Sequence, residues 1–188
     1  NMKTPKEKRE YLKSLFKEIY EKDIVERFKV EDEIEFEEIL DMAASQVGSY
    51  CSYSSLVKTF KSIKNKDISD KKIKNYYTYL ENSFLLSKVQ KYDIKGKKYI
   101  NNISKYYFED PGLRNARLGF RQIEESHLME NILYNELRTR GFEISVGNVL
   151  IKAKNPNAKV GITLATQPKI PVGSATEDDA YNAYFYDG

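Results

Sequence analysis

At 188 residues, 40% of them hydrophobic and 13% aromatic, the chain can bury one core and is excluded from the disordered class. One cysteine (Cys51) and one histidine (His127) exclude an internal disulfide and a zinc site built from those ligands. No apolar run approaches the ~18 residues of a spanning helix, so the expectation is a cytoplasmic protein without a membrane partner.

Asn1-Met2 reads as a cloning remnant, with the native frame starting upstream. Thr4-Pro5 opens a helix in the usual order of cap and first-turn proline. Tyr11, Leu12, Leu15, Phe16, Ile19, Tyr20, Ile24 and Phe28 then form one apolar stripe, which makes residues 1–30 a long connector helix. A second helix over 33–47 carries Ile34, Phe36, Ile39, Leu40, Ala43, Ala44 and Val47 and ends at Gly48. Ser52 or Ser54 caps a third over 54–63, and Ser69 caps a fourth over 69–84 on the spacing of Ile73, Tyr76, Tyr77, Leu80 and Phe84. Leu86, Val89, Tyr92 and Ile94, a turn at Lys95-Gly96-Lys97, then Tyr99 and Ile100 read as a hairpin.

Three short helices followed by a basic hairpin is the order of a winged helix-turn-helix over 31–104, with 69–84 as its recognition helix and 86–100 as its wing. Beyond it, Lys105 to Phe108 predicts a strand, Leu113 to Leu118 a short helix, Glu124 to Arg140 a longer one stopped by Gly141, and Phe142, Ile144 and Val146 another strand. Residues 105–150 are therefore expected to form a second unit. The 151–188 tail, with Pro168, Pro171, Gly173 and Gly188, is expected to be loop-rich apart from one or two strands.

Charge is segregated along the chain. Residues 31–41 hold seven acids and no base, whereas 58–105 hold thirteen lysines against four acids. Such a basic block fits a polyanion, because each neutralised phosphate releases counterions. The candidate contacts are Lys71, Lys72, Lys74, Asn75 and Thr78 on the recognition helix, with Lys95, Lys97 and Lys98 on the wing. Asn75 is the base-reading candidate, since asparagine pairs bidentately with adenine; lysines grip backbone, which predicts weak sequence preference. The competing class is a protein-docking module, because Tyr76, Tyr77 and Tyr79 cannot all lie on one core face.

Catalysis finds little support. Glu130 and Lys152 or Lys154 could supply part of a metal-dependent nuclease site, but no Asp or Glu occurs from Ile144 to Thr176, and one acid rarely holds Mg²⁺. Glu130 and Glu136 are expected to make salt bridges, His127 to sit at a helix start, and Cys51 to be half buried and inert. No catalytic or metal residue is assigned.

YLENSFLL at 79–86, KYYFEDPGLRN at 105–115 and ENILYNELRTRG at 130–141 occur in one order, with Tyr11-Leu12 and KDIVER at 22–27 ahead of them. In these motifs the chain resembles the C-terminal region, domain of unknown function 4143, of prokaryotic AAA-type ATP-binding proteins. The resemblance implies an α+β fold in which connector helix and winged helix precede a partial restriction-nuclease-like α/β unit. It implies a fragment that binds no cofactor, ATP and Mg²⁺ belonging to a missing N-terminal P-loop domain. That ATPase domain and double-stranded DNA would be the partners, and the chain a non-catalytic DNA-binding or docking module.

Overall fold

The computed structural model describes residues 4–93, 96–121, 125–147 and 163–168. Lys95, Lys152, Lys154 and most of the tail lie outside them.

Thr4 starts α1 (Pro5–Glu18) with a reciprocal cap: its hydroxyl accepts from the Glu7 amide at 3.2 Å, and the Glu7 carboxylate accepts from the Thr4 amide at 3.1 Å. The rod continues past Glu18, but Ile19–Glu26 wind as π-helix, so the single stripe read from the sequence spans two pitches. Phe16, Tyr20 and Ile24 are its buried residues.

Asp32 caps α2 (Glu33–Ser45), accepting from the Glu35 amide at 2.9 Å. Gly48, at φ +70, takes the left-handed turn that follows, a conformation that penalises any Cβ. Of the two serines that could cap the next helix, Ser52 does so for α3 (Tyr53–Lys64), which closes at left-handed Asn65. Ser69 caps α4 (Asp70–Asn82), its hydroxyl accepting from the Lys72 amide at 3.2 Å. The helix stops short of the expected residue 84. Phe84 instead occupies a left-handed turn at φ +55 and is 80% exposed.

β1 (Leu86–Asp93) and β2 (Lys98–Phe108) pair antiparallel from Leu86↔Phe108 to Asp93↔Lys98. The register jumps from Gln90↔Ser104 to Lys91↔Ile100, so residues 101–103 are looped out of the ladder as a bulge. β2 runs through to Phe108, so the wing strand and the strand expected at 105–108 are one element. A bridge between Cys51 and Ser104, with both backbone bonds at 2.9 Å, ties the α2–α3 connection to β2.

Asp110 caps α5 (Pro111–Arg117); α6 (Glu125–Thr139) and β3 (Phe142–Gly147) follow. β3 joins β1 in parallel, and β4 (Thr163–Pro168) pairs antiparallel with β3, giving the strand order β2-β1-β3-β4. The chain is therefore α+β, with a mixed sheet. One buried cluster links Ile24, Phe36, Leu56, Ile73, Tyr107 and Val146, so the early helices and the later strands share a core. Among the described residues no helix is long and apolar enough to cross a membrane.

Candidate nucleic-acid interface

The outer face of α4 follows from its inner one. Ile73, Tyr76, Tyr77 and Leu80 are buried, Tyr76 edge-on to Phe36 at 5.0 Å between ring centres and Tyr77 against Tyr106 at 4.6 Å. That fixes the rotation of the helix and leaves Lys71, Lys74, Asn75 and Thr78 exposed at the three- and four-residue spacing of one face. Thr78 turns its hydroxyl back to the Lys74 carbonyl at 2.9 Å. Lys97 and Lys98 are exposed at the tip of the β1–β2 hairpin, Lys97 in a left-handed turn at φ +47.

Lys72 is different from its neighbours. Its ammonium is bonded to the buried carboxylate of Glu35 on α2 and lies 5.7 Å from the Tyr76 ring centre. The Glu35 bond raises its pKa above the ordinary lysine value.

Many of these lysines already have partners within the chain, most of them at its surface. Lys61 pairs with Asp67 at 2.6 Å, Lys64 with Glu38 at 3.2 Å, Lys66 with Asp32 at 3.7 Å and Lys105 with Glu130 at 2.6 Å. Lys88 donates to the Tyr53 hydroxyl at 3.1 Å, and Lys91 rests 4.9 Å from the Tyr50 ring centre. Of the described lysines between 58 and 105, Lys58, Lys71, Lys74, Lys97 and Lys98 are exposed and make no ion pair. The acidic segment accounts for part of this: α2 holds Lys64, Lys66, Lys72 and, through Glu37 and Asp41, Arg117 of α5.

Beside this face lies a cleft of about 210 Å³ between the start of α3 and the bulge of β2, lined among others by Ser52, Ser54, Asp70, Lys88, Asn101 and Asn102. Sequence periodicity missed the two exposed asparagines. The signal available was composition: adjacent asparagines are poor strand formers and mark a place where a ladder is interrupted.

The residues weighed for catalysis have structural partners. Glu130 Oε1 receives the Lys105 ammonium at 2.6 Å and the Tyr107 hydroxyl at 2.5 Å, while Glu136 pairs with Arg140 at 2.7 Å. Burial and the adjacent Glu130 carboxylate push the Tyr107 hydroxyl far above its ordinary pKa. His127 is half-buried near Gly48, and Lys105 and Glu130 make a charge pair rather than an open pair of acids. Cys51 is half-buried, and burial pushes its thiol up to about 11. Tyr79 does not stand free: it stacks on Phe28 at 4.5 Å between ring centres, so the tyrosine row supplies no exposed docking ring. Among the described residues no group of three His, Cys, Asp or Glu side chains is arranged to hold a metal ion.

The chain is similar to an uncharacterized protein of Haemophilus influenzae, 33% identical over 73% of this chain and 34% of the relative. It is also similar to an uncharacterized protein of Methanocaldococcus jannaschii, 28% identical over 79% of this chain and 32% of the relative. It thus spans about a third of the length of these curated relatives. No solved structure matches. A different family model from that of the resemblance matches residues 1–124, and neither relative's name carries an ATPase, which corrects the assignment to domain 4143 of AAA-type proteins. The motor domain, with its ATP and Mg²⁺, was implied by that resemblance alone. The physical reason is that those motifs serve general structural roles here: the turn after α4, the Asp110 cap of α5, and the Asn131 side chain that bonds the Phe108 backbone. The chain belongs instead to the family described as Domain of unknown function (DUF8612), matched over residues 1–124.

Proposed function

We propose that the chain carries a winged helix-turn-helix that grips duplex DNA by its phosphates and performs no catalysis. α2, α3 and α4 supply the three helices, the Cys51–Ser104 bridge the short first strand, and β1–β2 the wing. The observation that carries the reading is four exposed lysines that make no ion pair among the described residues, Lys71 and Lys74 on α4 and Lys97 and Lys98 at the hairpin tip. Asn75, directly after Lys74 in the sequence, supplies the one bidentate base reader, so recognition is mostly of backbone. Its test is binding of the chain to several unrelated duplexes by fluorescence anisotropy. Lys97→Ala with Lys98→Ala lowers affinity for all of them about equally; an affinity that stays at the parent level contradicts the proposal.

A second reading, docking onto another protein, draws on Phe84. A phenylalanine 80% exposed in a left-handed turn costs backbone strain as well as apolar exposure, and such strain concentrates at functional surfaces. Phe84→Asn, which tolerates the left-handed conformation, leaves duplex binding unchanged if that reading holds beside the first.

A further inference from the structure

We infer that Glu35 is an internal counter-charge that keeps Lys72 out of the DNA interface and so limits how many phosphates α4 can neutralise, an inference that rests on the duplex-gripping reading above. Three donors converge on the Glu35 carboxylate, whose side chain is 4% exposed: the Lys72 ammonium, the Tyr76 hydroxyl at 3.1 Å and the Lys66 ammonium at 3.7 Å. Asp32, one turn earlier, shares Lys66 at 3.7 Å and accepts from the Glu35 amide. Tyr76 adds its ring face to the hold on Lys72.

Moving Lys72 out to a phosphate would leave a nearly buried carboxylate without its main counter-charge. That penalty exceeds what a solvent-screened phosphate contact returns, so the ammonium stays with Glu35 when DNA arrives. Lys71 and Lys74, on the same helix, have no such tether. α4 therefore presents two free ammonium groups rather than three, and Lys72 acts as a positioning residue that fixes α4 against α2. Glu35 sets the electrostatic strength of the interface from behind it.

The experiment measures the affinity of the chain for one duplex across a salt series. Neutral Glu35→Gln releases Lys72, so binding tightens at low salt and the slope of log K against log salt steepens by about 1, the increment expected for one added phosphate contact. Lys72→Gln combined with Glu35→Gln abolishes that gain. With Glu35 intact, Lys72→Gln leaves the slope at the parent value, whereas Lys74→Gln flattens it by about 1. These two lysine variants decide the matter even if Glu35→Gln fails to fold. A flattening of about 1 in Lys72→Gln alone, or a folded Glu35→Gln with the parent slope, overturns the inference. If the parent protein itself binds no duplex, the DNA reading is overturned and this inference with it; parent binding with the wrong Lys72 result sinks this inference alone.

Discussion

Lys105 is 1% exposed on β2, with its ammonium 2.6 Å from Glu130 and 4.8 Å from the Tyr50 ring centre. A charge held this deep depends on its partner, since removing one member leaves the other desolvated and uncompensated. Lys105→Met is expected to cost about 3–5 kcal/mol of unfolding free energy in urea titrations, and a second change, Glu130→Leu, to recover most of it. A loss below about 1 kcal/mol in Lys105→Met would mean that water reaches the pair. Alkaline pH reads other buried groups. Burial raises Cys51 from 9.0 to about 11; burial, aided by the bond to Glu35, raises Tyr76 from 10.0 to about 12. The native state keeps both protons after the unfolded chain has begun to lose them. Their contribution is complete below about pH 9 and is lost as pH rises through 11 to 12. Urea midpoints should therefore fall steadily across that window, and Cys51 should react slowly with thiol reagents at pH 8 until the chain is unfolded.

At the level of elements, the joint between α6 and β2 depends on one side chain. Asn131 is fully buried, accepts from the Phe108 amide at 2.8 Å and donates to the Phe108 carbonyl at 2.8 Å, so its amide stands in for a neighbouring strand at the end of β2. Asn135 adds bonds to the Phe108 and Glu109 carbonyls at 3.0 and 2.9 Å. Asn131→Ala strands the Phe108 amide, and thermal unfolding should report a loss of about 1–3 kcal/mol; Asn135→Ala, which leaves the Phe108 carbonyl its Asn131 donor and strands no buried amide, should cost less. The helices were legible in the sequence because their caps are local. Thr4, Ser52, Ser69 and Gly141 mark ends that hydrogen bonding within a few residues decides. What periodicity could not supply depends on distant partners. The bulge at 101–103 follows from the register with β1, the parallel joining of β3 to β1 from long-range pairing, and the fate of Lys72 from a carboxylate 37 positions away. The family resemblance failed for a related reason: its motifs are structural joints, and joints recur wherever helices and strands meet in the same way.

For the whole molecule, the acidic second helix and the basic stretch that follows are partners before they are surfaces. Four bases, Lys64, Lys66, Lys72 and Arg117, close onto α2, which leaves a smaller positive face than the count of thirteen lysines suggests. The fold also places the β1–β2 hairpin within one sheet with β3, so it is anchored by more than its own pairing; the Tyr99 hydroxyl and Ser145 Oγ lie 3.1 Å apart across that joint. If the proposed duplex reading holds, the few exposed lysines bind through a few phosphates with little regard for sequence. The most direct test is the affinity of the chain for a mixed-sequence duplex between about 50 and 200 mM salt. The expected log–log slope is about −3 to −5, the value for three to five lysine–phosphate contacts; an affinity unchanged across that range would contradict phosphate gripping.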